Sequence, residues 1–341
     1  ACEISTAQFG FGGSIEILDV DKQKNIREFV KEKTLAVMLT EPQKGVEKKL
    51  SDAEFKDYKL KIDDSNQKIR TLFETWWTFT DEVIFITDSD LKEMEKDERK
   101  KLALCRISAR SVSDQVISGG NTIYWGTTAS YSYLEIYNYK GVSITLGGDG
   151  SSDLVKVHLP YFDASLGDIA WAIQEAQLLL KQSLEEDKDA EVFAKEEFSK
   201  NGDLLKSKTL LIDQNDLSSK MRENMIKVIY PYKYKLVTRN AIDEAVLEKN
   251  EEYLVLKLLP VEVRIGSGST YQFNENTSTG FYDLKETRYD NKTLYYNHLI
   301  TNCADGSLVS GDFIEVFKLG GLPPAEVNKN SFKAYIKNAK K

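Results

Sequence analysis

Lys33-Thr34-Leu35-Ala36-Val37-Met38-Leu39 and Lys208-Thr209-Leu210-Leu211-Ile212 decide the fold, because each opens the same programme of elements. Both are short apolar runs behind a Lys-Thr pair, which is the pattern of a buried strand. A helical stripe follows in each. Ile69, Leu72, Phe73 and Trp76 recur at spacings of three and four in a helix expected over residues 67–76. Leu217, Met221, Met225 and Val228 do the same over 217–229. That spacing puts one apolar face on each helix. A second strand comes at 82–87 and again at 233–238. A short helix opens at once behind it, with Asp88 or Ser89 as the expected cap in one copy and Thr238 or Asn240 in the other. A third strand is read at 102–107 and at 253–259. From Thr87 and Thr238 onward the copies hold an offset of about 151 residues. Before that point the first copy carries an extra charged loop at 41–64, the kind of insertion a surface tolerates.

Farther along, the match continues more weakly. Residues 131–146 alternate around Lys140-Gly141, and 280–296 alternate around Asp290-Asn291; both read as β-hairpins. A last strand is expected at 154–159 and 313–319, and a closing helix at 166–184 and 325–340. The expected fold is α/β with α+β character: two tandem copies of a β-α-β-α-β unit, each with an added antiparallel hairpin, strand and closing helix, in mixed sheets. Residues 1–30 are read as an N-terminal tail or export remnant with a short strand. Residues 31–185 form the first repeat, 186–203 an acidic linker and 204–341 the second repeat. The two copies are expected to pack as a pseudo-twofold pair.

Composition sets the outer limits. A 41% hydrophobic and 29% charged chain of 341 residues has the material for a packed core. No window approaches the ~18 uninterrupted apolar residues of a membrane span. A formal charge of −8 argues against nucleic acid as a partner, since phosphate backbones require a basic face. Cys2, Cys105 and Cys303 fit no zinc or disulfide framework. Two export readings compete at the start. Ser5-Thr6-Ala7 before Gln8 places small residues where a signal peptidase cuts, and Ala1-Cys2 resembles the end of a lipoprotein signal, with Cys2 as a lipid anchor. Either reading places the chain in the periplasm, at the outer membrane or outside the cell. A plain cytoplasmic tail is the alternative.

Tyr234-Lys235-Leu236-Val237-Thr238-Arg239-Asn240-Ala241-Ile242-Asp243-Glu244-Ala245-Val246-Leu247, followed by Tyr253-Leu254-Val255-Leu256, resembles an α/β module of bacterial envelope proteins. The module is that of the curli-secretion lipoprotein family and of the amino-terminal domain of the TolB family. The resemblance covers about 60 residues here and fades in the first copy. Asn250-Glu251-Glu252 stands where those families carry a Gly/Ala-Asp pair. Ala7-Gln8-Phe9-Gly10 is similar to exported proteins of the Bacteroidetes group. The resemblance implies an envelope location and protein–protein assembly, and it implies no reaction.

A search for chemistry assigns no catalytic residue, metal or cofactor. His158 and His298 are the only histidines, and each sits alone in or beside an expected strand. No serine elbow, Cys-His cue or His-Glu metal motif is present. Gly147-Gly148-Asp149-Gly150-Ser151-Ser152-Asp153 lacks the lysine of a phosphate loop and the carboxylates of a calcium loop, so it reads as a turn. No carboxylate pair stands out as glycosidic. The candidates for binding are aromatic: Trp76, Trp77, Tyr124, Trp125, Tyr131, Tyr133, Tyr137 and Tyr139. On a strand the last four share one face. Exposed, that row stacks on sugar rings or anchors a partner; buried, it is core. The expected function is that of a non-enzymatic envelope or secreted assembly protein. The alternative is a carbohydrate-binding protein, or a glycan-active enzyme, that uses the tyrosine face.

Overall fold

The computed structural model of the chain describes residues 15–17, 33–118, 121–138, 153–185, 190–276, 281–312 and 326–338. After strand β1 (Ile15–Ile17) the first repeat runs β2 (Thr34–Met38), α1 (Asp52–Trp76), β3 (Val83–Ile86), α2 (Asp88–Glu93), α3 (Lys96–Arg99), β4 (Leu102–Ser118), β5 (Asn121–Asn138), β6 (Asp153–His158) and α4 (Leu166–Glu185). Helices α5 (Ala190–Asn201) and α6 (Leu204–Ser207) lead into the second. It runs β7 (Thr209–Asp213), α7 (Glu223–Ile229), β8 (Tyr234–Val237), α8 (Arg239–Leu247), β9 (Tyr253–Asn276), β10 (Phe281–Asn302), β11 (Leu308–Asp312) and α9 (Lys329–Asn338).

The strand orders are β3-β2-β4-β5-β6 and β8-β7-β9-β10-β11, the same arrangement twice. β2 is parallel to β3 and β4, and β7 is parallel to β8 and β9. The later strands are antiparallel. Helical crossovers enforce the first pattern and hairpins the second. The chain is therefore a duplicated mixed α/β unit, as its sequence predicts.

Local chemistry fixes the helix starts. Thr87 caps α2 through a reciprocal box with Asp90, and Thr238 caps α8 by accepting from Ala241 N. The first cap is thus Thr87 rather than Asp88 or Ser89. Helix α1 begins at Asp52 behind a Ser51–Glu54 capping box, so much of the expected charged loop is helix. Its first half is mostly exposed, with Phe55, Tyr58 and Ile62 half-buried on one side and none fully buried. Pairs such as Asp57–Lys61 and Asp64–Lys68, one turn apart, support it instead.

The hairpins differ from expectation. β4 and β5 are 17 and 18 residues long, and the last pair of their ladder is Ser118–Asn121. β9 and β10 are 24 and 22 residues long. Asp290-Asn291 is no turn: it lies inside β10, where the register shifts at a bulge. Alternation alone cannot separate a turn from a bulge, because both interrupt the period of two. Among the described residues the closing helix of the second repeat spans Lys329–Asn338, and a strand lies at Leu308–Asp312. The expected strand at 313–319, the Lys140-Gly141 turn and nearly all of the Gly147–Asp153 loop lie outside the described residues.

The repeats do not meet as a twofold pair. Gln115–Ser118 of β4 pairs with Thr287–Asp290 of β10, which joins a first hairpin strand to a second hairpin strand and makes one 11-stranded sheet. The helical layers are also unlike. One cluster joins Phe73 and Trp76 of α1 and Trp171 and Ile173 of α4 to Ile242 and Val246 of α8. The equivalents of α1 and α4, namely α7 and α9, lie in a different cluster, with Ile226, Phe332 and Tyr335. Different faces of the two repeats are in contact, which is the heterologous kind of junction.

Candidate functional site

The aromatic candidates do not form an exposed row. Trp76 and Trp77 are 5% and 6% exposed and belong to the shared core. Lys249 Nζ lies 4.3 Å from the Trp76 ring centre, and Trp77 Nε1 donates to Thr80 Oγ1. Tyr131 and Tyr137 are 5% and 8% exposed, and burial pushes both hydroxyls up to about 12. Tyr133 is half-buried and shares a face with Tyr131, their ring centres 5.9 Å apart. Tyr137 packs with Leu91 and Leu104, while Tyr131 packs on His158, whose Nδ1 meets the Pro260 carbonyl of β9. The face read as a binding surface is thus covered by α2 at one end and by the second repeat at the other. Tyr124 and Trp125 are placed only as positions on β5, and Tyr139 lies outside the described residues.

What sequence reasoning missed is a polar knot between the repeats. Ser165 and Asp168 form a capping pair at the start of α4. Asp168, fully buried, accepts from Lys257 Nζ of β9 and from Arg239 Nη2 of α8, each at 2.8 Å. Burial alone would raise the Asp168 carboxyl, but Lys257 and then Arg239 hold it below its ordinary range. Arg239 also reaches Asp163 and lies 4.0 Å over the Tyr161 ring. The Tyr161 hydroxyl donates toward Asp213 and Asp216. Burial first, and Asp213 beside it, raise the Asp216 carboxyl to about 7.

Register explains why the knot exists. Thr34 pairs with Leu102 and Thr209 with Tyr253, so Arg106 and Lys257 are equivalent positions. Asp88 and Arg239 each follow the equivalent threonine caps. In the first repeat Arg106 meets its own Asp88 at 2.6 Å. In the second repeat both positions are cationic, and Asp168 of the first repeat supplies the anion. The sequence carries this signal as the Asp88/Arg239 change of sign. The knot fastens the repeats together through Asp168, although Arg239 Nε and Asp243 Oδ1 beside it are buried without a hydrogen-bond partner.

Other groups with chemical potential are packed. His298 Nδ1 meets Tyr335 Oη at 2.6 Å, and Cys105 and Cys303 are buried free thiols. Among the described residues no group of three or more His, Cys, Asp or Glu is placed to hold a metal ion. A cleft of about 430 Å³ lies at the carboxyl end of β2, beside Cys105–Ile107 in the first part of β4, and is lined by Val37, Phe73, Cys105 and Ile169 among others. Asn66 beside it is occupied in two hydrogen bonds with the Thr40 backbone. Another cleft, of about 530 Å³, runs along the outer edge of β8. Neither contains a convergent set of reactive groups.

The hairpins present a different kind of site. β6 pairs with β5 only along 133–137, and β7 pairs with β9 only along 253–255. Among the described residues, 121–131 of β5 and 263–276 of β9 have a ladder on one side alone, Ser132 being met by Leu159 N. Residues 121–132 contain no charged residue and no proline. Soluble proteins usually blunt such edges with lysine, proline or short length, because an open ladder recruits another strand. No family model, curated protein or solved structure matches the chain. No helix among the described residues is long and apolar enough to cross a membrane.

Proposed function

We propose that this chain is a non-enzymatic assembly protein of the cell envelope or exterior, working through the free edges of its two long hairpins. The observation that carries this reading is the pair of open ladders on β5 and β9. Strand addition uses backbone hydrogen bonds for affinity, so it needs no pocket and no reactive side chain. The rest of the molecule suits that role: its two α/β repeats are fastened by a common core and a buried ionic knot, which makes a firm base for projecting strands. The envelope-module resemblance supports the location.

The test is a photo-crosslinking residue in place of Tyr124 on β5 or Tyr271 on β9, with exposed Lys61 of α1 as control. Protein adducts are expected from the two hairpin positions and not from the control. Silence at both hairpin positions in cells that produce the chain overturns the reading.

A further inference from the structure

We infer that the cleft at the outer edge of the second repeat takes an acidic, extended peptide segment of a partner protein, which adds to β8 as a further strand. The inference goes beyond the hairpin reading above and uses a different edge.

The backbone gives the first argument. β8 ends its sheet, and among the described residues it pairs with β7 alone. Leu210 N of β7 donates to the Lys233 carbonyl, so the backbone groups of Lys235 and Val237, at steps of two, also face β7. Tyr234 and Leu236 therefore turn their N–H and C=O groups outward. Such groups are what an added strand pairs with. The cleft of about 530 Å³ lies on this side, lined by Glu223 and Lys227 of α7 and by residues 232–237.

Charge names the guest. The chain carries a formal −8, yet residues 217–238 hold five basic side chains, Lys220, Arg222, Lys227, Lys233 and Lys235, against the single acid Glu223. Glu223 is taken by Lys227 at 2.8 Å. Lys235 Nζ reaches the Tyr253 hydroxyl at 3.2 Å, and among the described residues no carboxylate lies within ion-pair distance of Lys233 or Lys235. The lining of the cleft thus leaves two positive charges unmatched.

The fold itself does not require these lysines. At the offset of 151, Asp81, Glu82 and Ile84 stand in the first repeat where Tyr232, Lys233 and Lys235 stand in the second. Both positions lie at the outer strand of the same unit. Lysine on an edge deters uncharged and basic strands. Opposite an acidic strand the same charge is attractive, so the residues that guard the edge also select what may add to it. A lipid headgroup would answer the lysines and leave the outward backbone groups unused; an acidic strand answers both.

The experiment uses the full chain and a fluorescein-labelled peptide, Val-Glu-Val-Glu-Val-Glu-Val, followed by anisotropy. Saturable binding is expected, weakening as salt rises. Lysine in place of each glutamate of the peptide should abolish it. A fully N-methylated peptide keeps the charges and loses every backbone donor, and it should not bind. Lys233→Glu with Lys235→Glu should weaken binding of the original peptide by about tenfold or more. Unchanged affinity in that variant places the peptide elsewhere, and equal binding of the methylated peptide makes the contact one of charge alone; each overturns the inference. Absence of peptide binding also overturns it, including the case in which phosphatidylglycerol vesicles bind the chain instead.

Should the variant not fold, the wild type still decides. A photo-reactive residue in the middle of the peptide should crosslink within 223–237, and adducts confined to other segments overturn the inference. The hairpin adducts are read on other strands, so either reading can fail alone.

Discussion

Glu175 shows how much a single side chain can hold against the fold. It sits fully buried in α4, and neither carboxyl oxygen has a hydrogen-bond partner. Burial, with a smaller push from Asp305, raises its carboxyl well above the usual range. The folded form therefore binds a proton that the unfolded chain releases near pH 4. Stability from this group is greatest below that pH and declines as pH rises toward the folded value, at about 1.4 kcal/mol per unit. Glu175→Gln removes the proton requirement while keeping the shape. The variant should match the wild type near pH 4 and exceed it by up to about 3 kcal/mol at pH 7. Urea unfolding across that range checks this, and an equal difference at both pH values would show that the carboxyl takes up no proton on folding. Asp168 is the instructive contrast: it is just as buried but is met by two cations, so it stays ionised.

At the level of elements, the close crossing of α4 and α8 is built on one small residue. A methyl group at Gly167 would stand 2.5 Å from Asp243 Oδ1 and 2.6 Å from Asp243 Cα. The second of these is backbone, so no rotamer change relieves it, and the helices must separate. Gly167→Ala should cost about 1–3 kcal/mol or more, read as a lowered denaturation midpoint with unchanged slope. An unchanged midpoint would mean the crossing is looser than the distances show. The same crossing shows what a sequence can and cannot reveal. The duplicated strands and caps are legible because Leu35, Val37, Leu210 and Ile212 follow a period that local burial dictates. The first half of α1 is harder to read, because its short stripe of Phe55, Tyr58 and Ile62 is only half-buried and sits among many charges. The hairpin lengths are hidden for another reason: Asp290-Asn291 has turn chemistry but is held in a strand by pairing with distant β9 and β4. The meeting of Asp168 with Lys257 spans 89 residues and depends on how the repeats dock, which no local pattern encodes.

For the whole molecule the question is whether two repeats mean two folding units. Length favours two domains, and the helical stretch at α5 and α6 offers a boundary. Packing opposes it. The largest buried cluster takes Leu35, Phe73 and Trp171 from one repeat and Leu211, Val246 and Leu299 from the other. Opening the junction would expose those apolar side chains to water and break the pairs of Asp168 with Lys257 and Arg239. Neither repeat can lose its structure without removing the surface that covers the other. Unfolding should therefore be one cooperative event. At roughly 0.7 kcal/mol per residue near 60 °C, a joint transition has a van't Hoff enthalpy on the order of 200 kcal/mol, matching the calorimetric value. Independent repeats would give a van't Hoff enthalpy near half of the calorimetric one, or two resolved peaks. Scanning calorimetry repeated over a range of chain concentrations separates these outcomes. Two peaks there would show that the shared core does not couple the repeats, and the firm base required by projecting hairpins would be lost with it.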